Sequence, residues 1–152
     1  MNMKKRYILG IIVLAVVIHY SYMNYSKNQV YIAKFEALEQ ELRFVTQYYF
    51  RQGEDDLSEL QQHLYEVPIA IKPRDLSRFP GNTEKIYTRM DFVLEKMAQN
   101  FQTIDQIPDL FEKLKTLEDE VENLLKTGKV NHISDETYER MTTLLLEIEK
   151  LN

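Results

Sequence analysis

Apolar residues recur at every third or fourth position along almost all of this 152-residue chain, and that spacing makes the α-helix its building unit. No stretch alternates apolar and polar residues well enough to propose a strand. Punctuation is sparse: Gly10, Gly53, Pro68, Pro73, Pro80, Gly81, Pro108 and Gly128 are all the glycines and prolines present. The fold class read from this pattern is all-α, an antiparallel helical bundle.

The N-terminus adds a second constraint. Lys4, Lys5 and Arg6 precede an apolar run from Tyr7 to Ile18. Basic residues ahead of an apolar segment stay cytoplasmic, so the expected topology is N-terminus in and C-terminal domain extracytoplasmic. The strictly apolar core has the length of a signal-peptide h-region. Extended through Met23 it covers ~25 Å as a helix, near the lower limit for spanning a bilayer. An uncleaved anchor is preferred to a cleaved signal. The segment from His19 to Lys27 holds no A-x-A-like site, and Tyr20, Tyr22 and Tyr25 suit an interfacial belt. His19, at the end of the span with no acidic neighbour, reads as interfacial rather than as a proton relay. The expected organisation is a cytoplasmic tail over 1–6, a single transmembrane helix over 7–23 contacting the lipid bilayer, and an extracytoplasmic helical domain over 24–152.

All 24 acidic residues lie after residue 23, with every basic residue except Lys4, Lys5 and Arg6. An acidic domain of this kind is a poor binder of nucleic acid, and none is expected as a partner. The absence of cysteine excludes disulfides, thiolate metal sites and cysteine catalysis.

Within the domain, the first helix is expected to run on from the anchor to about Arg51. Tyr31, Phe35, Leu38, Leu42, Val45 and Tyr49 form a heptad-like stripe along it, which suits a short coiled-coil stalk that self-associates, or equally one face of a bundle. Phe44, Tyr48 and Phe50 widen that apolar face. A short helix is expected over 55–65, then a long loop over 66–82 carrying three of the four prolines. A third helix is expected over 83–101, capped by Asn82 or Thr83. Pro108 opens a fourth helix with the stripe Leu110, Leu114, Leu117, Val121 and Leu124, stopped at Gly128. Ser134 caps a fifth, with Tyr138, Met141, Leu145 and Ile148 inward.

Motifs of chemistry are missing from the sequence. It has no G-x-S-x-G, no phosphate-cradling glycine loop, no H-E-x-x-H and no Glu-x-x-His pair for a di-iron bundle. Glu59, His63 and Glu66 share one face of the second helix, but such triplets are ordinary on charged helices and read as a solvated face. Glu118, Asp119, Glu120 and Glu122 are likewise read as solvated. No catalytic, cofactor-binding or metal-ligating residue is assigned, and the chain is not expected to be an enzyme. Lys72, Arg74, Arg78, Lys85 and Arg89, against only Asp75 and Glu84, stand out as a basic cluster in an acidic domain; they read first as neutralising the domain's own acidic helices and otherwise as a candidate patch for an anionic partner.

The functional expectation is therefore a membrane-anchored bundle that binds proteins or a second copy of itself, as a structural or adaptor part of a membrane or cell-envelope assembly. The alternative is a small-molecule-sensing or solute-binding bundle.

Overall fold

A computed structural model describes residues 3–53, 57–71, 81–104 and 106–151. Among them every regular element is helical: α1 (Met3–Gln52), α2 (Leu57–Ile71), α3 (Asn82–Asn100), a single 3-10 turn (Phe101–Thr103), α4 (Ile107–Lys126) and α5 (Asp135–Lys150). The chain divides into two compact units, Met1–Tyr31 and Ile32–Asn152.

In the first unit, every residue from Gly10 to Ser26 is exposed. The apolar ones lie on all faces of the helix, with Ile11 67% and Ile18 59% exposed. Among the described residues no helix is long and apolar enough to cross a membrane. The apolar run is short: Tyr7 to Ile18 in the sequence makes ~18 Å of helix against a hydrocarbon core of about 30 Å. The transmembrane helix expected over 7–23 therefore has no support from the described residues. The side chains of Tyr7, Ile8 and Leu9, which begin the run, lie outside them.

The second unit is a helical bundle with a continuous apolar core. Along α1 the expected stripe turns inward: Phe35, Leu38, Leu42 and Val45 are fully buried, and Tyr49 is 9% exposed. Tyr49 stacks on Phe111 of α4 with ring centres 4.0 Å apart, and Phe35 meets Tyr87 of α3 at 5.9 Å. Ile86, Met90, Val93 and Met97 of α3 join Leu110, Leu114, Leu117 and Val121 of α4 and Met141, Leu145 and Ile148 of α5. Each such side chain contributes ~1.5–3 kcal/mol by leaving water.

Side-chain pairs fix the helix directions. Tyr49 to Phe111 and Arg43 to Glu122 make α4 antiparallel to α1. Arg140 to Glu120 and Lys113 to Glu147 make α5 antiparallel to α4. Asn82 to Asp135 and Lys96 to Glu149 make α3 and α5 parallel neighbours, and α3 packs along both α5 and α2.

Helix ends follow local chemistry. Gly53 and Gly128 adopt φ of 67° and 65°, the left-handed geometry that ends a helix without a Cβ clash. Pro108 sits in the first turn of α4, and the Ser134 hydroxyl accepts from the Thr137 amide at 3.3 Å. Two expectations are corrected. Helix α2 runs on through Pro68 to Ile71, because an internal proline removes one donor while its neighbours keep theirs. Helix α3 starts at Asn82 with Gly81 as its N-cap, so Asn82 and Thr83 do not cap it. Asn82 instead donates to the Ile133 carbonyl at 3.1 Å and to Asp135 at 2.7 Å, and Thr83 donates to the Val130 carbonyl at 2.7 Å. Both pin the start of α3 to the segment leading into α5.

Candidate functional site

Of the five basic residues in the expected patch, Lys85 and Arg89 are described; Lys72, Arg74 and Arg78 lie outside the described residues. Lys85 and Arg89 come together on one wall of a groove between α3 and α5, with a volume of about 790 Å³. Lys85, Arg89 and Phe92 follow helical spacing on α3, and Tyr138, Thr142 and Leu146 face them from α5. Asn82 to Asp135 and Lys96 to Glu149 share one offset, |i−j| of 53. The same offset sets Lys85 level with Tyr138 and Arg89 level with Thr142.

The groove is apolar along its floor and polar along one side. Phe92 is 53% and Leu146 42% exposed, a large apolar surface for two adjacent side chains. Arg89 donates from Nη2 to Glu149 Oε2 at 2.5 Å, and its guanidinium carbon stands 6.0 Å from the Phe92 ring centre. Glu149 also accepts from Lys96 at 3.4 Å, so it bridges two cations. Arg89 Nε and Thr142 Oγ1 are buried without a hydrogen-bond partner among the described residues. Lys85 is exposed and has no ion pair among the described residues, although Glu84 also lines the groove. The periodicity that reads Tyr138 as a core residue misses its place, since it is half-buried at the groove. Phe92 and Leu146 each sit one position beyond a core stripe, beside Val93 and Leu145. That doubling of apolar residues is the sequence signal for the groove.

A second polar cluster corrects the reading of the fourth helix as solvated on its acidic side. Glu118 is only 3% exposed, and Glu118 and Glu122 converge on Arg43 of α1. Thr46 donates to Glu118 Oε2 at 2.8 Å and Lys115 to Glu118 Oε1 at 2.9 Å. Arg43 also pairs with Glu39, whose charge is the largest cause raising the guanidinium above its ordinary value. Lys115 is raised chiefly by its hydrogen bond to Glu118, and Glu122 is lowered chiefly by its hydrogen bond to Lys126. Every charge in this cluster has an opposite partner, so its chemistry is structural: it locks α1 to α4.

The Glu59–His63 pair stands in an aromatic setting. The imidazole lies edge-on to Phe44 at 4.7 Å and 3.9 Å from Glu59, which accepts from Tyr48 at 2.7 Å. The side chain of Glu66 lies outside the described residues. Among the described residues no group of three His, Asp or Glu side chains is placed to hold a metal ion. The expected self-association stripe from Tyr31 to Tyr49 is enclosed from Phe35 onward by the chain's own bundle, while Tyr31 is half-buried.

Comparison with protein-family models, curated proteins and solved structures gives no match to this chain.

Proposed function

We propose that this chain is a membrane-anchored helical bundle that acts by binding other proteins, as a structural or adaptor component of a membrane or cell-envelope assembly. The observation that carries the reading is the apolar surface of the first unit. Ile11, Ile12, Val13, Leu14, Val16 and Val17 are all more than half exposed. A helix that is apolar all round is stable only when something apolar surrounds it. With Tyr7 to Leu9 added from the sequence, and the tyrosines as an interfacial collar, the segment reaches the lower limit of a bilayer span. The cations Lys4 to Arg6 then set the N-terminus inside. Self-association through the Tyr31 to Tyr49 stripe is not carried into the proposal, since from Phe35 onward it is enclosed in the bundle.

The open α3–α5 groove supports the binding half of the proposal. Small-molecule sites bury about 70–90% of their ligand. A floor with Phe92 and Leu146 this exposed suits a macromolecular segment better than an enclosed solute.

The cysteine-free chain makes the anchor directly testable. Single substitutions Asn2→Cys and Lys129→Cys are introduced into the full chain and treated with a membrane-impermeant maleimide on intact cells. Labelling at position 129 but not at position 2, with the protein retained in the membrane after alkaline extraction, is the expected result. Release into the alkaline supernatant refutes the anchor, and labelling at position 2 alone reverses the topology.

A further inference from the structure

We propose that the α3–α5 groove seats an acidic amphipathic helix of a partner protein, with a partner carboxylate set between Lys85 and Arg89. The inference rests on the protein-binding reading above and names the chemistry of the partner.

The dimensions come first. From Lys85 to Phe92 on α3, and from Tyr138 to Leu146 on α5, the groove walls run ~10–12 Å, two turns of helix. A helix laid in such a groove presents apolar residues at i, i+3 or i+4 and i+7, which match a floor of Phe92, Leu146 and the Tyr138 ring.

The charged residues lining the groove, Lys85 and Arg89 against Glu84, leave it net positive by one charge, and that sets the sign. Lys85 is an exposed cation without an ion pair among the described residues. Among the described residues, Arg89 Nε is a donor with no acceptor and Thr142 Oγ1, level with it across the groove, is a hydroxyl with no partner. A buried unpaired polar group is costly, so a small rotamer change that brings either group to an incoming carboxylate is favourable. Arg89 is held at one end by Glu149 and against Phe92, leaving its Nε edge as the free one. A carboxylate on the flank of a docked helix accepts from all three groups and neutralises Lys85; a neutral amide accepts but leaves the charge unmatched, and a basic residue is repelled.

Other occupants fit less well. The chain's own segment over 72–80 carries Lys72, Arg74 and Arg78 against Asp75, so it has the same sign as the wall. An anionic bilayer surface engages protruding cations. Here the Arg89 guanidinium lies down along the groove wall, tied to Glu149, and the apolar floor needs a contoured partner.

The test uses the detergent-solubilised full chain and a displayed library of three-turn amphipathic helices, with a fixed Leu/Phe face and randomised flanks. Selected peptides are expected to carry Glu or Asp on one flank. Their Glu→Gln versions should bind roughly tenfold more weakly. Lys85→Glu, at an exposed position without an ion pair, should leave the circular dichroism melt unchanged while losing those peptides; Arg89→Gln should weaken them similarly. Selection without acidic bias, or equal binding by Lys85→Glu, overturns the proposal. Displacement by phosphatidylglycerol vesicles but not by phosphatidylcholine vesicles reassigns the groove to lipid and also overturns it. Peptides that footprint on the Phe44–His63 face remove the groove but leave the protein-binding reading standing. If no peptide is selected at all, the groove proposal falls while the protein-binding reading stands.

Discussion

The buried hydrogen bond between Thr46 and Glu118 offers the sharpest test of how the bundle is held together. Thr46 is fully buried, and Glu118 is 3% exposed. Glu118 Oε1 is reached by Lys115 at 2.9 Å and by Arg43 at 3.5 Å, whereas Oε2 accepts from Thr46 at 2.8 Å. Thr46→Val keeps the shape and removes the one donor to Oε2 among the described residues. A buried acceptor left unpaired costs about 1–3 kcal/mol, and more when charged, so the expected loss is ~2–3 kcal/mol.

The reverse change behaves differently. Glu118→Leu leaves Lys115 its partner Asp119 at 3.0 Å and leaves Arg43 both Glu39 and Glu122. Thr46 itself keeps the Arg43 carbonyl at 3.2 Å. No group is orphaned, and because Arg43 and Lys115 are both partly exposed, removing Glu118 strands no buried charge. Stability is therefore expected within ~1 kcal/mol of the parent. In the double variant both ends of the bond are gone, so it should resemble Glu118→Leu alone. The cycle then yields a coupling of ~2 kcal/mol, measured by chemical denaturation of the full chain followed by far-UV circular dichroism. Additivity of the two single changes within about 0.5 kcal/mol would falsify the claim that this bond is desolvated and specific.

Further outcomes follow from single sites. Gly128→Ala forces a Cβ into φ of 65° and should cost ~1–2 kcal/mol in a thermal melt, while Gly81→Ala, at φ of −92° with open space around its Cβ among the described residues, should cost less, only the loss of a favoured N-cap residue. Ser134→Ala removes the α5 cap and should cost ~1 kcal/mol by the same measurement. Glu122 and Glu147 are both held below the ordinary value of 4.5, Glu122 chiefly by its hydrogen bond to Lys126 and Glu147 by that to Lys113. A carboxylate whose folded value is depressed stabilises above its unfolded value, and that contribution disappears as pH falls through the folded one. Stability should decline below pH 4.5, and a pH series on Lys113→Met with Lys126→Met should show a flatter acid limb.

What the sequence revealed, and what it hid, divides along the distance over which each decision is made. Pro108, Gly128 and Ser134 mark their helix ends because capping is settled within one turn. The stripes of α1, α3 and α4 are legible because burial of one helix face repeats every three or four residues. Glu118 was hidden because its role depends on Arg43 and Thr46, and the Thr46 bond spans |i−j| of 72. Its position alone, four after Leu114 and three before Val121, marked it as inward-facing; its charge argued otherwise. Pro68 misled in the opposite sense, since a rule about local stops gave way to a helix that continues past it. The groove could not be foreseen as a groove, because α3 and α5 are separated by α4 in sequence. Only its parts, the Lys85–Arg89 cations and the doubled apolar residues, were on view.

The ion pairs between helices bear on that last point more than on stability. Pairs such as Lys113–Glu147 and Arg140–Glu120 have substantially exposed partners, and each contributes only ~0–1 kcal/mol. Yet the two share one antiparallel register between α4 and α5, and a slip by one turn breaks both together. Asn82–Asp135 and Lys96–Glu149 do the same for α3 against α5. An apolar stripe tolerates a slip of one heptad because it repeats; a set of matched charges and hydrogen bonds does not. The α3–α5 register is what sets Arg89 level with Thr142 and Phe92 near Leu146. Weak surface pairs thus define the α3–α5 groove by excluding neighbouring registers. Removing both Asn82 and Glu149 contacts should therefore disturb groove binding more than it disturbs the melt.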